Sequence, residues 1–364
     1  MKPTNSHCQL TRLVIDGYKS IKHCEINFGS INILIGSNGA GKSNLISFFL
    51  MIKIMLARNL QKFVAWQGGP DSILHFGRKT TEVMHAELYF GNNGYLASFE
   101  PTNDNKLMIA KESSWWNVTG ERVIGSGYFE TEARKGTGTG IDGYVVPAME
   151  QWQVYHFHDT SDSAHVKQPH RIDDNEFLRP DARNLASFLY FLQRKHPAEF
   201  SRIEKTVSMV APFFERFHLR PSPENKNTIE LEWFEIGQEV PFKAYHLSDG
   251  TLRFICLATV FLQPNELQPE TILVDEPELG LHPYAITTLA SLIRSVSQTK
   301  QVIVSTQSVE LLNEFDAEDV IVVNRVGGES EFHRLDAEKL AGWLEEYSLG
   351  ELWKKNLLGG RPAR

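Results

Sequence analysis

Apolar and polar residues alternate over positions 11–35: Leu13 and Ile15, then Ile21, Ile26 and Phe28, then Ile31, Ile33 and Ile35. This period of two predicts two antiparallel edge strands feeding a buried strand that ends at Gly36. The period then changes. From Lys42 onward, Leu45, Ile46, Phe49 and Leu50 recur at helical spacing, which predicts a helix with an apolar face. Residues 80–155 return to aromatic and β-branched alternation (Leu88, Phe90, Tyr95), with a turn signal at Gly91-Asn92-Asn93-Gly94, and read as β-rich. The glycine-rich stretch 125–140 reads as a loop or mobile hairpin. From Arg183 to Phe217 the pattern is helical, through Leu185, Phe188, Leu189 and Leu192, with a break near Pro197 before Ile203, Val207 and Val210. A last α/β stretch, Ser248 to Val323, holds two apolar strand cores, Thr271–Val274 and Val302–Val304. There is no internal repeat, and the lack of a sustained heptad run excludes long coiled-coil arms.

The expected fold class is therefore α/β: a mixed central sheet flanked by helices, with an antiparallel β subdomain and a helical insertion. The expected parts are an N-terminal lobe (1–180), a helical or lever-like insertion (181–246), a C-terminal lobe (247–330) and a C-terminal helical extension (331–364). In that extension Trp343, Leu344, Tyr347, Leu349 and Trp353 offer an apolar face, either for the chain's own core or for docking.

Composition narrows the chemistry. The 364 residues, 41% hydrophobic and 23% charged, are ordinary for a soluble globular protein. A net charge of −8 excludes a chain that is basic as a whole, so any DNA contact needs a local patch. The paired cations Arg78-Lys79 and Arg194-Lys195 read as solvated surface. Cys8, Cys24 and Cys256 have no metal-ligand spacing and read as reduced, buried thiols. The apolar run Leu45–Leu56 is too short to span a bilayer and is interrupted by Lys53; the first ten residues lack a signal-peptide core. A cytoplasmic protein is expected.

Gly36-Ser37-Asn38-Gly39-Ala40-Gly41-Lys42-Ser43 fits the Walker A pattern in full, between a predicted strand and a predicted helix. Its glycines let backbone N–H groups converge on phosphates, and the helix start adds its positive end. Lys42 supplies a mobile charge, and the Ser43 hydroxyl a ligand for Mg²⁺. Thr271-Ile272-Leu273-Val274-Asp275-Glu276 is a buried strand ending in two acids. Downstream of a Walker A, Asp275 is expected to hold Mg²⁺ through water, and Glu276 to orient or deprotonate the attacking water. Glu278 reads as a solvated neighbour.

Leu247-Ser248-Asp249-Gly250-Thr251 precedes the helix opening Leu252-Arg253-Phe254. Alone it is a helix cap; between Walker A and Walker B it resembles the ABC signature loop, which binds the γ-phosphate held by a second subunit. Gly280-Leu281-His282-Pro283 resembles the D-loop, with His282 a packing or interface residue. Val302–Val304 runs into Ser305-Thr306-Gln307-Ser308, so Gln307 stands where ABC ATPases carry a switch histidine. A glutamine can hydrogen-bond a phosphate or water but cannot become cationic, so slow or partner-dependent turnover is expected.

Together with Leu13-Val14-Ile15-Asp16-Gly17-Tyr18-Lys19-Ser20-Ile21, these motifs resemble the RecF/SMC-like ABC-type ATPases. The similarity is closest to stand-alone bacterial ATPases of the AAA_21 type, kin to the ATPase half of OLD nucleases. Tyr155-His156-Phe157-His158-Asp159-Thr160-Ser161, Asp275 to Pro283, Ser305 to Ser308, and Ser348 to Trp353 through Gly359-Gly360-Arg361-Pro362 carry that closer likeness. The resemblance implies ATP and Mg²⁺ as cofactors, ATP hydrolysis, an ATP-dependent head-to-head homodimer, and regulation of a separate effector such as a nuclease in antiphage defence. The Q-loop glutamine has no clear counterpart; its region falls near Lys111-Glu112. His156 and His158 share one face of a strand, but with no Cys or third His nearby a structural role is favoured over a metal site.

A RecF-like DNA-binding ATPase in repair or recombination is the alternative reading, which the net charge does not favour. A transporter subunit is disfavoured because the signature lacks the second glycine and the glutamine of LSGGQ. A self-contained OLD-type nuclease is disfavoured because only 56 residues follow Ser308.

Overall fold

A computed structural model describes residues 9–133 and 142–359. Cys8, residues 134–140 of the glycine-rich stretch 125–140, and Gly360 to Arg364 lie outside them. β1 (Arg12–Tyr18) and β2 (Ile21–Asn27) form a hairpin, and β3 (Ile31–Ile35) leads through a short loop into α1 (Lys42–Leu56) and α2 (Leu60–Trp66). The strands β4 (Met84–Phe90), β5 (Asn93–Pro101), β6 (Leu107–Trp116) and β7 (Gly120–Gly125) form a meander, followed by α3 (Asp142–Glu150) and β8 (Trp152–Tyr155). The middle of the chain holds β9 (His170–Arg171), α4 (Leu185–Lys195), α5 (Pro197–Val210), β10 (Phe214–Phe217), β11 (Thr228–Ile229), β12 (Glu232–Glu235) and β13 (Phe242–Lys243). Then come α6 (Asp249–Leu262), β14 (Thr271–Asp275), α7 (Pro283–Val296), β15 (Gln301–Thr306) and α8 (Val309–Leu312). β16 (Val320–Val326), β17 (Glu329–Arg334), α9 (Ala337–Leu344) and α10 (Leu349–Lys354) end the described chain.

Two six-stranded sheets organise the molecule. One is antiparallel, in the order β2-β1-β4-β5-β6-β7; the other has the order β17-β16-β3-β15-β14-β8, parallel except for β17. The central strands β3, β14 and β15 carry apolar runs because both faces are covered, whereas the antiparallel edge strand β17 alternates. Ile33, Ile35, Ile272, Val274, Val302, Val304, Val320 and Val322 enter a core shared with α4 to α7. Their neighbours Leu34, Leu273, Ile303, Ile321 and Val323 face the opposite way, into a core shared with α1 and the antiparallel sheet. Strand alternation thus divides one sheet between two hydrophobic layers.

Several expectations change. β2 is an edge strand, but β1 is paired on both sides, with β2 and β4. Residues 142–150, within the stretch expected to be β-rich, form α3. Its β-branched Val145 and Val146 are buried together with Ala148 and Met149, so tertiary burial overrides local strand preference there. The segment 181–246 is helical only to Val210; β10, β12 and β13 then form a small antiparallel sheet. Position 331 falls inside β17, and the helical part that follows is two short helices, α9 and α10. Leu349 and Leu352 are buried and Trp353 packs on the core, whereas Trp343 and Leu344 of α9 are exposed. Lys53, the charge inside the apolar run of α1, donates to the carbonyl of Trp152 at 2.6 Å and to the Gln153 side chain. It thereby satisfies one backbone acceptor of β8, and its burial lowers the ammonium to about 8. No described helix is long and apolar enough to cross a membrane.

A single buried amide fastens the N-terminal segment to the parallel sheet. The Gln301 Nε2 donates to the carbonyls of Leu10 (2.8 Å) and Gly29 (2.9 Å), while its Oε1 accepts from the Leu10 N–H (3.2 Å). Gln301→Leu keeps the bulk but strands the N–H and carbonyl of buried Leu10, while the Gly29 carbonyl keeps the Asn32 amide. Urea unfolding should show a loss of about 2 kcal/mol or more, since each buried polar group left unpaired costs about 1–3 kcal/mol. An unchanged midpoint would mean that these groups find other partners.

Candidate functional site

The loop 36–41 is shaped by what lies behind it. A Cβ on Gly36 would sit 2.4 Å from the carbonyl oxygen of Val323, and one on Gly41 would sit 2.0 Å from the Ser330 Oγ. Neither position has room for a side chain. The β16–β17 hairpin grips the loop: Ser330 donates to the Ala40 carbonyl (2.6 Å) and Arg325 Nη1 to the Gly39 carbonyl (2.9 Å). Ser20 links the same cluster, through Ser330 at 2.6 Å and Asn44 at 2.6 Å. The front is open. Gly39 has φ +77° with empty space where a Cβ would lie, and Asn38 and Ser43 are exposed. The first turn of α1 carries no acidic residue, so its positive end is not neutralised locally.

Lys42 is buried and folds back over the loop, donating to the carbonyls of Gly36 (2.6 Å) and Ser37 (3.1 Å). Burial pushes its ammonium below the ordinary lysine value, opposed by the nearby carboxylates of Glu276, Asp275 and Glu278. Those carboxylates come from the C-terminal end of β14. Glu276 has φ +45°, an uncommon conformation for a side-chain-bearing residue; its N–H donates to the Ser305 carbonyl (2.7 Å), and its carboxylate accepts from the Gln307 amide. Asp275 keeps Oδ1 buried with no hydrogen-bond partner. Glu278 is not a solvated neighbour: it is buried, and its Oε1 accepts from Thr306 Oγ1 (2.6 Å) and the Gln307 N–H (3.1 Å). Burial raises its carboxyl above the usual range, and the Thr306 hydrogen bond only partly offsets this. Glu278 thus sets the backbone position from which Gln307 reaches Glu276.

Ser248 caps α6, its Oγ accepting from the Thr251 N–H at 3.2 Å, and both Ser248 and Asp249 are exposed. Gly250 lies against its own chain: a Cβ there would be 2.2 Å from the Gly280 carbonyl. His282 is exposed and caps α7, with Nδ1 accepting from the Tyr284 N–H at 3.4 Å. One turn into α6, Arg253 joins three segments. Its Nε donates to the Phe157 carbonyl (2.9 Å), Nη2 to the His158 carbonyl (2.8 Å) and Nη1 to the Leu279 carbonyl (2.8 Å).

The structure therefore gathers Lys42, Asp275, Glu276 and Gln307 at the ends of adjacent parallel strands, while Ser248 to Gly250 open a separate helix. Glu112 lies in β6 of the antiparallel sheet, where its carboxylate accepts from Tyr95, Thr131 and the Glu132 N–H; that pairing leaves it no Q-loop role. The chain that follows β8, beside β14, places His156 Nδ1 3.9 Å from Asp275 Oδ2. Burial lowers the His156 imidazole against the opposing pull of Asp275. Sequence reading missed Arg253, Ser330, Arg325 and this third partner of the histidine pair. All are contacts between distant segments, and only the Arg253 position in the signature helix offered a local signal.

An open loop, a lysine turned onto loop carbonyls, an exposed Ser43 and an unpartnered Asp275 oxygen fit a phosphate chain with a divalent cation. The family model described as "AAA domain, putative AbiEii toxin, Type IV TA system" matches residues 31–313. Among solved structures, an SMC head bound to the C-winged helix domain of ScpA has 20% identity and a TM-score of 0.61, over 92% of this chain and 99% of that one. A head with extended coiled coil from Pyrococcus furiosus, bound to the C-terminal domain of ScpA, has 18% identity and a TM-score of 0.57, covering 93% and 98%. A head with coiled coil and joint from Pyrococcus yayanosii has 13% identity and a TM-score of 0.57, covering 93% and 99%. These likenesses show the fold: an α/β head of the SMC type. A search of the curated proteins found no match.

Glu278 gives a test with a defined sign. Its folded carboxyl is raised above the unfolded value, so the folded state binds more protons and this group's contribution to stability falls as pH rises through that interval. Glu278→Gln keeps the Oε1 acceptor and removes the buried charge. By urea unfolding it should be at least as stable as wild type at neutral pH, with that advantage fading as pH falls from the raised value of the folded carboxyl to the ordinary glutamate value. Glu278→Ala should instead lose about 1–3 kcal/mol by stranding Thr306 and the Gln307 N–H. A Gln variant as unstable as the Ala variant would contradict the assignment.

Proposed function

The chain belongs to the AAA_21 family, and from that premise we propose that it binds and hydrolyses ATP as an ABC-type head working in pairs. The observation that carries this reading is the convergence of Lys42, Asp275, Glu276 and Gln307 around an open, glycine-lined loop. Gly36 to Ser43 cradle the phosphates with backbone N–H groups, and Lys42 leaves the carbonyls of Gly36 and Ser37 to meet phosphate oxygens. Mg²⁺ supplies charge neutralisation on the phosphates when bound; Ser43 and Asp275, the latter through water, are the residues that would hold it. Glu276 is the base or water-orienting group. Its carboxylate is aimed by the Gln307 amide, and Gln307 in turn by Glu278. Gln307 remains neutral throughout, so turnover is slow unless a partner supplies further charge.

Ser248 and Asp249 form a capped helix start with exposed side chains, and Gly250 follows them. In the proposed dimer they close over the nucleotide of the second copy. The effector reading, in which the dimer regulates a separate protein such as a nuclease in antiphage defence, rests on family resemblance.

Complementation tests the shared site. Gly250 is a poor target because its Cβ would strike Gly280 of the same chain. Ser248→Asp retains a good cap and places a carboxylate where the partner's phosphate would arrive. Neither Lys42→Ala nor Ser248→Asp should hydrolyse ATP alone. Mixed equally with free exchange, half the dimers pair the two variants, and each of these holds one intact site of two. Phosphate release should return to at most about a quarter of wild type. Full activity of Ser248→Asp alone would overturn the shared site.

A further inference from the structure

His156, His158 and Asp275 are the one group of three such ligands that the described residues bring together, with a donor atom from each within 4.8 Å of the others. We propose that these three side chains hold a Zn²⁺-like transition-metal ion, in the absence of nucleotide. This goes beyond the ATP reading, because imidazole nitrogens select first-row transition metals where Mg²⁺ takes oxygen ligands.

The geometry needs little adjustment. In a tetrahedral site with ligand bonds of about 2.0–2.1 Å, donors stand roughly 3.4 Å apart. His156 Nδ1 and Asp275 Oδ2 are at 3.9 Å, and the two imidazole rings are 6.1 Å apart. His156 is half-buried and His158 exposed, so side-chain rotation can close the remaining distance. The backbone beneath them is fixed: Arg253 holds the carbonyls of Phe157 and His158, on either side of the His158 Cα. A second observation points to a cation. Asp275 presents Oδ2 to His156 while its Oδ1 is buried without any hydrogen-bond partner, a state that is costly for a carboxylate unless positive charge arrives. Two histidines and one carboxylate leave a coordination position open, the usual condition for a metal that also takes water or another small ligand.

Co²⁺ is the probe. Tag-free full-length protein is stripped with chelator and titrated with Co²⁺ without nucleotide, following d–d absorption and bound metal after dialysis. Wild type should take one Co²⁺ per chain, displaceable by Zn²⁺. His158→Ala and His156→Ala should each weaken binding by more than the roughly tenfold that loss of an outer-shell partner costs, and the double variant should abolish it. His158 is exposed, so its variant should fold even if the His156 variant does not. Absence of Co²⁺ uptake by wild type, or unchanged uptake by His158→Ala, would overturn the proposal. ATP affinity measured in Mg²⁺ on the same preparations separates the two readings. Loss of ATP binding with Co²⁺ binding intact would remove the nucleotide assignment alone.

Discussion

Three carboxylates, Asp275, Glu276 and Glu278, lie close to one buried ammonium, Lys42. That imbalance is the constraint around which the site is built. Each acid relieves it differently: Glu278 by accepting from Thr306 and the Gln307 backbone, Glu276 by accepting from the Gln307 side chain, and Asp275 only in part, with His156 beside one oxygen. The unpartnered oxygen of Asp275 leaves local electrostatics that favour a cation, the condition a phosphate–metal chemistry exploits.

The parallel sheet makes this concentration of charge tolerable. β3, β14 and β15 are buried on both faces, so the two cores hold their ends in register, and the polar residues emerge together where the strands stop. Two further grips hold the loops. Ser330 and Arg325 hold the loop 36–41 from behind, and Arg253 ties α6 to the segments that follow β8 and β14. A shift of α6 would therefore be felt at His158 and Leu279 together, which links the capped end of α6 to the carboxylate strand through one side chain.

Much of this was legible in the sequence because it depends on local geometry. Glycines at 36, 39 and 41 followed by Lys42 define a backbone shape and a charge, and the apolar runs at 271–274 and 302–304 define buried strands. The resemblance to SMC-like heads extended that to the fold. What stayed hidden depends on contacts across the chain. Glu278 looks solvated until β15 places Thr306 against it, and the histidine pair lacks a third ligand until β14 lies beside β8. Glu112 stands near the expected Q-loop region until β6 buries it among Tyr95, Thr131 and Glu132. α3 was obscured because Val145 and Val146 carry strand preference while packing as helix.

The central claim is that nucleotide held by one chain is closed over by a second. Light scattering on Glu276→Gln reads this directly, because the amide keeps the shape of the site while removing the base, so ATP should stay bound. The account predicts that ATP with Mg²⁺ raises the mass to twice the 41.4 kDa of a single chain, and that ADP does not. A variant that binds ATP yet remains at the mass of one chain would contradict it.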